Sequence, residues 1–373
     1  MSSISPTSST AGKKLRALAA EIDACGPDRV ASALGDEIAL RADAYLAGLE
    51  AYRRHPYRRS EPAPPVLWQE GTTRLLDYGD GRPGRTVMVV PSLINRYYVL
   101  DLLPQRSFLR HLAAGGLRPM VVDWSAPGPA ERELDLTGYS ERLDRAFAAA
   151  AAHSAGMPIA MLGYCMGGLF AVAAALRRRH QVACLALLAT PWDFHAGWSA
   201  ATQVLGLGAD RLAPAGVTAD TVPVEMVQSF FFELDPFLAE RKFVRLGRLD
   251  PEGDAARGFV ALEDWINDGV PLGLALARDC IRRWYRDNEP GRGTWRMAGR
   301  RVLPQLLRRP SLVVIPGRDR IVPPLSAEPL ATALGDAEVL RPALGHVGMM
   351  SAASAAAMLW TPIAEWLRSR LGG

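Results

Sequence analysis

Met161-Leu162-Gly163-Tyr164-Cys165-Met166-Gly167-Gly168 runs from an apolar strand end, through a glycine-flanked cysteine, into an Ala/Leu-rich helix. That pattern is a nucleophile elbow with cysteine where serine usually stands. The residue at the tip of such a turn has a strained backbone, so the positions two before and two after it must be small enough for strand and helix to approach. Gly163 and Gly167 fill those positions. The helix expected over 166–179 points its N-terminus at Cys165, where free backbone N–H groups favour thiolate over thiol. A reactive cysteine is the expectation. Taken alone, the pattern also suits a buried cysteine serving only as core, and the rest of the chain decides between the two.

Outward from the elbow, short apolar runs alternate with helical periods. Strands are expected over 74–78, 86–90, 119–122, 159–162, 183–188, 312–315 and 338–341, and helices over 105–114, 139–153, 166–179, 327–334 and 352–371. The alternation predicts an open, largely parallel sheet. With the elbow after the central strand, it predicts an α/β-hydrolase fold: a mostly parallel central sheet with an inserted cap domain and an N-terminal helical extension. The expected divisions are a disordered tail and helical extension over 1–60, the first part of the core over 61–190, a cap insertion over 191–306 and the second part of the core over 307–373. The extension reads as two helices broken at Gly26-Pro27-Asp28, followed by a linker rich in proline and arginine over 53–65.

Within the insertion the strand-helix alternation stops and aromatic residues collect: Trp192, Trp198, Phe230-Phe231-Phe232, Phe237, Phe243, Phe259, Trp265, Trp284 and Tyr285. An aromatic cap suits an apolar acyl group beneath it. Packing of the insertion's own core is the competing use of the same residues.

The chain has 373 residues, 49% of them hydrophobic, enough to bury a large core. No apolar run is long enough to span a bilayer, and the Ser/Thr-rich start over 1–12 lacks a hydrophobic signal region, so a cytoplasmic location is expected. Its four cysteines (Cys25, Cys165, Cys184 and Cys280) have no C-x-x-C spacing, which argues against a zinc site or a disulfide framework. The net charge is +4 and the pI about 9.0, carried almost wholly by arginine. Doublets and triplets such as Arg53-Arg54, Arg177-Arg178-Arg179, Arg282-Arg283 and Arg308-Arg309 are dispersed, which reads as solvated surface rather than a nucleic-acid stripe. Some could still meet an anionic molecule such as coenzyme A. H-E-x-x-H and Walker motifs are missing, so neither metal nor nucleotide chemistry is expected.

A cysteine nucleophile needs a base, and the base an orienting acid, arriving in this fold in the order nucleophile, acid, histidine. Of six histidines, His55, His111, His153, His180 and His195 lie before the last strands, in the linker, on helices or just inside the insertion. His346, in Leu344-Gly345-His346-Val347-Gly348, stands in the loop where the fold delivers its base. The acid should follow the preceding strand, which makes Asp319 in Gly317-Arg318-Asp319-Arg320 the candidate, against a purely turn-capping role. The oxyanion hole should combine the backbone N–H of Met166 with that of Leu93 in Pro91-Ser92-Leu93-Ile94-Asn95, with Ile94 next in line.

The stretch Val89-Val90-Pro91-Ser92-Leu93-Ile94-Asn95-Arg96-Tyr97-Tyr98-Val99-Leu100-Asp101-Leu102 resembles the "PPxINKYYILDL" segment of the polyhydroxyalkanoate synthases (PhaC-like), and Gly163 to Gly168 resembles their cysteine-containing lipase-like box. Asp123-Trp124, Asp319 to Pro323 and Gly345-His346 extend the likeness over most of Val66 to Leu371. The resemblance implies an acyltransferase that polymerises (R)-3-hydroxyacyl-CoA with release of coenzyme A. Cys165 would be the nucleophile, His346 the base and Asp319 its orienting partner. It implies no cofactor beyond the coenzyme A thioester substrate, a growing polyester chain as product, a homodimer or a second synthase subunit as partner, and possible residence at polyester granules. Arg320 stands where the family often has histidine, and the length matches the short synthases that act with a second subunit. Two other classes share these residues: a cysteine hydrolase, either a thioesterase or an intracellular polyester depolymerase, and a granule-associated paralogue without turnover.

Overall fold

Val87 to Val90, Ala160 to Leu162 and Leu185 to Leu188 are wholly buried, as central strands of a parallel sheet must be when helices cover both faces. In the computed structural model, which describes residues 10–79, 81, 84–197, 220–226, 228 and 237–372, they belong to one eight-stranded sheet. Its strands are β1 (Val66–Glu70), β2 (Thr73–Asp77), β3 (Arg85–Val90), β4 (Leu117–Asp123), β5 (Ile159–Tyr164), β6 (Val182–Leu188), β7 (Ser311–Val314) and β8 (Glu338–Leu340). The order is β1-β2-β4-β3-β5-β6-β7-β8. β1 and β2 pair antiparallel, as do β2 and β4, and every other neighbour is parallel.

Seven of these strands lie where the apolar runs place them. β1 was not expected, because it is a half-exposed edge whose sequence, Val-Leu-Trp-Gln-Glu, ends in polar residues. The helix expected over 352–371 begins at Ala355 and is not uniformly α-helical: a π-helical stretch over Ala356–Trp360 runs directly into an α-helix over Thr361–Arg370. Pro362 supplies the cause, since it has no N–H to donate to a continuous helix.

The chain divides into two compact units, one formed by residues up to 57 with 237–259, the other by 58–236 with 260–373. In the first, the helix Leu238–Leu246 packs along Pro27–Arg54 so closely that a Cβ on Gly48 would lie 1.9 Å from the Phe243 carbonyl oxygen. Tyr45 and Tyr52 meet the Phe243 ring edge-on, and Phe259 closes the cluster. A piece of the insertion thus supplies the core of the N-terminal helices. The sequence left open what those helices pack against.

In the second unit the elbow helix, Met166–Arg177, is buried on all sides from Met166 to Ala175. Three glycines let it sit there. A Cβ on Gly163 would lie 2.4 Å from Gly168 Cα, one on Gly167 2.1 Å from Val90 O, and one on Gly168 1.8 Å from the Thr190 hydroxyl. The first two obstacles are backbone and cannot rotate away. Gly167→Ala is therefore expected to cost about 1–3 kcal/mol or more of stability, read as a lowered midpoint in urea unfolding.

Candidate active site

Cys165 caps the elbow helix with φ 55° and ψ −129°, a conformation that costs about 1–3 kcal/mol outside glycine and persists only where its surroundings enforce it. Its own N–H donates to Leu188 O at the end of β6 (2.8 Å), and its carbonyl accepts from Gly168 N (2.9 Å). The turn is therefore tied to the sheet on one side and to its own helix on the other. Cys165 is 8% exposed.

Asp319 and His346, 27 residues apart in the chain, meet beneath it: His346 Nδ1 and Asp319 Oδ2 are 2.7 Å apart, and both side chains are buried. Asp319 Oδ1 accepts the N–H groups of Ile321 and Val322, each at 2.8 Å. The turn-capping role and the orienting role thus belong to different oxygens of one carboxylate. Burial, the largest influence on the imidazole, opposes its charged form. The negative charges of Cys165 and Asp319 and hydrogen bonds to both outweigh it and push the His346 pKa up to about 10.

Leu93 and Met166 are buried at the base of the elbow. The Ile94 N–H donates to the Ser92 hydroxyl at 3.1 Å, so of the two candidates in that loop Ile94 is already engaged. Trp124 Nε1 donates to Pro91 O (3.1 Å) and fixes the loop's start. At its far end the buried Asp101 carboxylate accepts from Tyr78 Oη (2.9 Å), Arg110 Nε (2.9 Å) and Arg59 Nη2 (3.2 Å). These bonds explain why the segment over 91–102 and Asp123-Trp124 occur together: one holds the other.

The family profile for the alpha/beta hydrolase fold matches residues 85–353. The chain belongs to that family. Within it, the chain is 28% identical over 318 residues to a protein of Haloferax mediterranei named poly(3-hydroxyalkanoate) polymerase subunit PhaC, an alignment covering 82% of this chain and 63% of that one. A PhaC subunit of Allochromatium vinosum is 26% identical over 294 residues, covering 76% of this chain and 81% of that one. The likeness to PhaC read from the motifs therefore extends along most of the chain. Among solved structures, a thermophilic esterase from Thermogutta terrifontis superposes with a TM-score of 0.50 at 19% identity, covering 84% of this chain and all of that one. A hydrolase from Pseudomonas aeruginosa PA01 gives 0.51 at 15%, covering 81% and 94%. At such identities these two speak for the α/β-hydrolase fold alone.

Tyr164 escaped the sequence reading of the site, and Tyr285 entered it only as one of the insertion's aromatic residues. Tyr164, beside the cysteine, stacks on the His346 ring (centroids 5.3 Å apart, planes at 29°) and its hydroxyl donates to His346 O at 3.2 Å. An aromatic residue inside the glycine-flanked box was the available signal. Tyr285 of the insertion is half-buried, and its loss of solvent, with the charge of Cys165 added, raises its pKa. It packs edge-on against Phe194, which stacks on Trp284. Trp198 and Phe230 to Phe232, also assigned to the insertion, lie outside the described residues.

The other cysteines are set apart by environment. Burial pushes the Cys184 thiol up to about 12 and Cys280 higher still, while Cys25 is exposed. Iodoacetamide at pH 8 should label Cys25 and Cys165, leave Cys184 and Cys280 untouched, and label Cys165 more slowly in His346→Ala, as read by peptide mass spectrometry. Because the Cys165 charge helps hold the imidazole proton, Cys165→Ala should lower the His346 pKa. In a ring-proton NMR titration the wild-type resonance should stay in its imidazolium position past pH 8, and that of Cys165→Ala should leave it at lower pH.

Proposed function

We propose that this chain is an acyltransferase that polymerises (R)-3-hydroxyacyl-CoA into polyester through an acyl-cysteine on Cys165. The observation that carries the reading is the line from Cys165 through His346 to Asp319, in a chain whose motifs and overall sequence are PhaC-like. His346 takes the Cys165 proton, the thiolate attacks the acyl-CoA carbonyl, and coenzyme A leaves as its thiol, taking the proton back from His346. The backbone N–H groups of Met166 and Leu93 hold the developing oxyanion. A hydroxyl of another acyl unit, deprotonated by His346, then attacks the thioester carbonyl; the bond from the acyl carbon to Cys165 breaks, the thiolate regains the proton from His346, and the ester so formed lengthens the chain. The cycle uses the coenzyme A thioester as substrate and calls on no metal or prosthetic group.

The part of the insertion that belongs to the second unit acts as the cap. There Tyr285 feels the charge of Cys165, Phe194 packs on Tyr285 and Trp284 on Phe194, and closure of this aromatic cluster over the acyl-enzyme excludes water. Among the described residues no helix is long and apolar enough to cross a membrane. Work at the granule surface, as a homodimer or with a second subunit, fits a product that leaves solution.

The test is 3-hydroxybutyryl-CoA, with a candidate second subunit added in a parallel arm, measuring free thiol, free acid and insoluble polymer together. Coenzyme A release with polymer is expected. Cys165→Ala should release none, His346→Ala should fall by about 10²–10⁴-fold, and Asp319→Asn should retain more than His346→Ala because the base remains. Free 3-hydroxybutyrate in step with coenzyme A, without polymer in either arm, would overturn the synthase reading in favour of a hydrolase.

A further inference from the structure

Some of the arginines that looked dispersed in sequence meet in the second unit. At the far end of the elbow helix, Arg177, Arg179, Arg300 and Arg301 line a cleft of about 120 Å³ with Leu176 and Met297 among its apolar walls and no carboxylate in its lining. Arg309 Nε donates to Arg179 O at 2.8 Å and draws the Arg308-Arg309 pair to its rim. The helix Met166–Arg177 has twelve residues, which at 1.5 Å each separates the cleft from Cys165 by about 18 Å. It is not part of the site described above.

Of the four, Arg177 has carboxylate and hydroxyl partners of its own. Arg177 donates to Asp144 (2.9 Å) and Ser140 (2.6 Å), Arg178 shares Asp144, and the whole triplet complements the negative end of the elbow helix. That argument does not reach Arg300 and Arg301. They come from a different element, a two-residue hairpin in which Arg296 and Met297 pair with Arg301 and Arg300. Its turn, Ala298-Gly299, has positive φ at both positions (47° and 75°), the tight geometry that fixes strand register. Trp295, Met297 and Val302 are buried and anchor it. Arg301 is further held by Gly293 O (2.9 Å). Among the described residues Arg179, Arg300 and Arg301 have no carboxylate partner within ion-pair distance.

Three uncompensated guanidinium groups on anchored elements, around a concavity, form a site for a multiply charged anion. Arginine forks match phosphate oxygens two at a time. The cleft has room for several water molecules, which suits a compact group and excludes a whole coenzyme A. The apolar walls suit the carbon side of an ester. We propose that this cleft binds a phosphate or diphosphate group of a phosphorylated ligand, held by Arg179, Arg300 and Arg301. The group could come from a free phosphorylated metabolite or from a phospholipid head group, and the proposal stands independently of the chemistry at Cys165.

The full chain is titrated with inorganic pyrophosphate by calorimetry at low and raised salt, and pelleted with phosphatidylcholine vesicles with and without phosphatidic acid. Saturable pyrophosphate binding, weakened by salt, is expected if the group is free, and pelleting that requires phosphatidic acid if it is a lipid head group. Arg300→Ser should weaken whichever binding is seen by about tenfold or more, and Arg300→Ser with Arg301→Ser should weaken it further. Both variants should keep the wild-type melting temperature without ligand. Wild-type protein that binds neither probe, or variants that bind as tightly as wild type, would overturn the proposal.

Discussion

No side chain fits at position 167. A Cβ there would stand 2.1 Å from Val90 O and 2.4 Å from Pro91 O, so the elbow helix meets the end of β3 backbone to backbone. That contact sets two things at once. It holds Cys165 at φ 55°, and it brings the start of the elbow helix beside the Pro91–Asn95 loop, so that N–H groups from two separate elements can face one acyl oxygen. The strain at Cys165, about 1–3 kcal/mol, is offset by the burial of every residue from Met166 to Ala175.

His346 is held as firmly as Cys165. Asp319 divides its carboxylate, one oxygen on His346 Nδ1 and the other on two backbone N–H groups, so the acid cannot rotate without freeing buried donors. Tyr164 stacks on the imidazole from the nucleophile's own strand and donates to the His346 carbonyl. One turn of sequence, Tyr164-Cys165, thus touches both the reacting sulfur and the group that would take its proton. Asp319 bonded at Nδ1 leaves Nε2 for the sulfur.

The parts of the fold legible in the sequence are those set by local constraint. Parallel strands buried on both faces read as continuous apolar runs, and the elbow reads as small residues around a cysteine. Asp319 and His346 were legible from chain order, since each follows a strand in a fixed sequence of roles. What escaped needed distant contacts. β1 is an edge with one exposed face and a polar end, and its pairing with β2 is not written in its own residues. Helix Leu238–Leu246 lies within the insertion by sequence, yet it packs on Pro27–Arg54 because Gly48 leaves a groove that Phe243 fills. The Arg177 to Arg179 triplet read as solvated surface, and that Arg300 and Arg301 share a cleft with it needed the hairpin that places them there.

In the proposed cycle His346 must do opposite jobs in succession, and its surroundings supply the switch. Facing the charge that develops on Cys165, the imidazole is held protonated, its pKa at about 10, which suits a ring that must hand a proton to departing coenzyme A. A ring so protonated cannot accept one from an incoming hydroxyl. Acylation resolves this, because a thioester carries no charge and removes the strongest influence raising the pKa. Burial, which lowers it, then faces Asp319 alone. Having given its proton to coenzyme A, the imidazole is then able to act as a base a second time, toward the alcohol. Cysteine serves this better than serine, since thioester exchange keeps the acyl carbon activated for the alcohol that follows. The remaining competitor is water. An alcohol held in line reaches effective molarities of about 10⁵ M or more, far above the roughly tens of molar of bulk water. The outcome then turns on positioning, for which the buried Cys165 and the aromatic residues around it provide a dry setting.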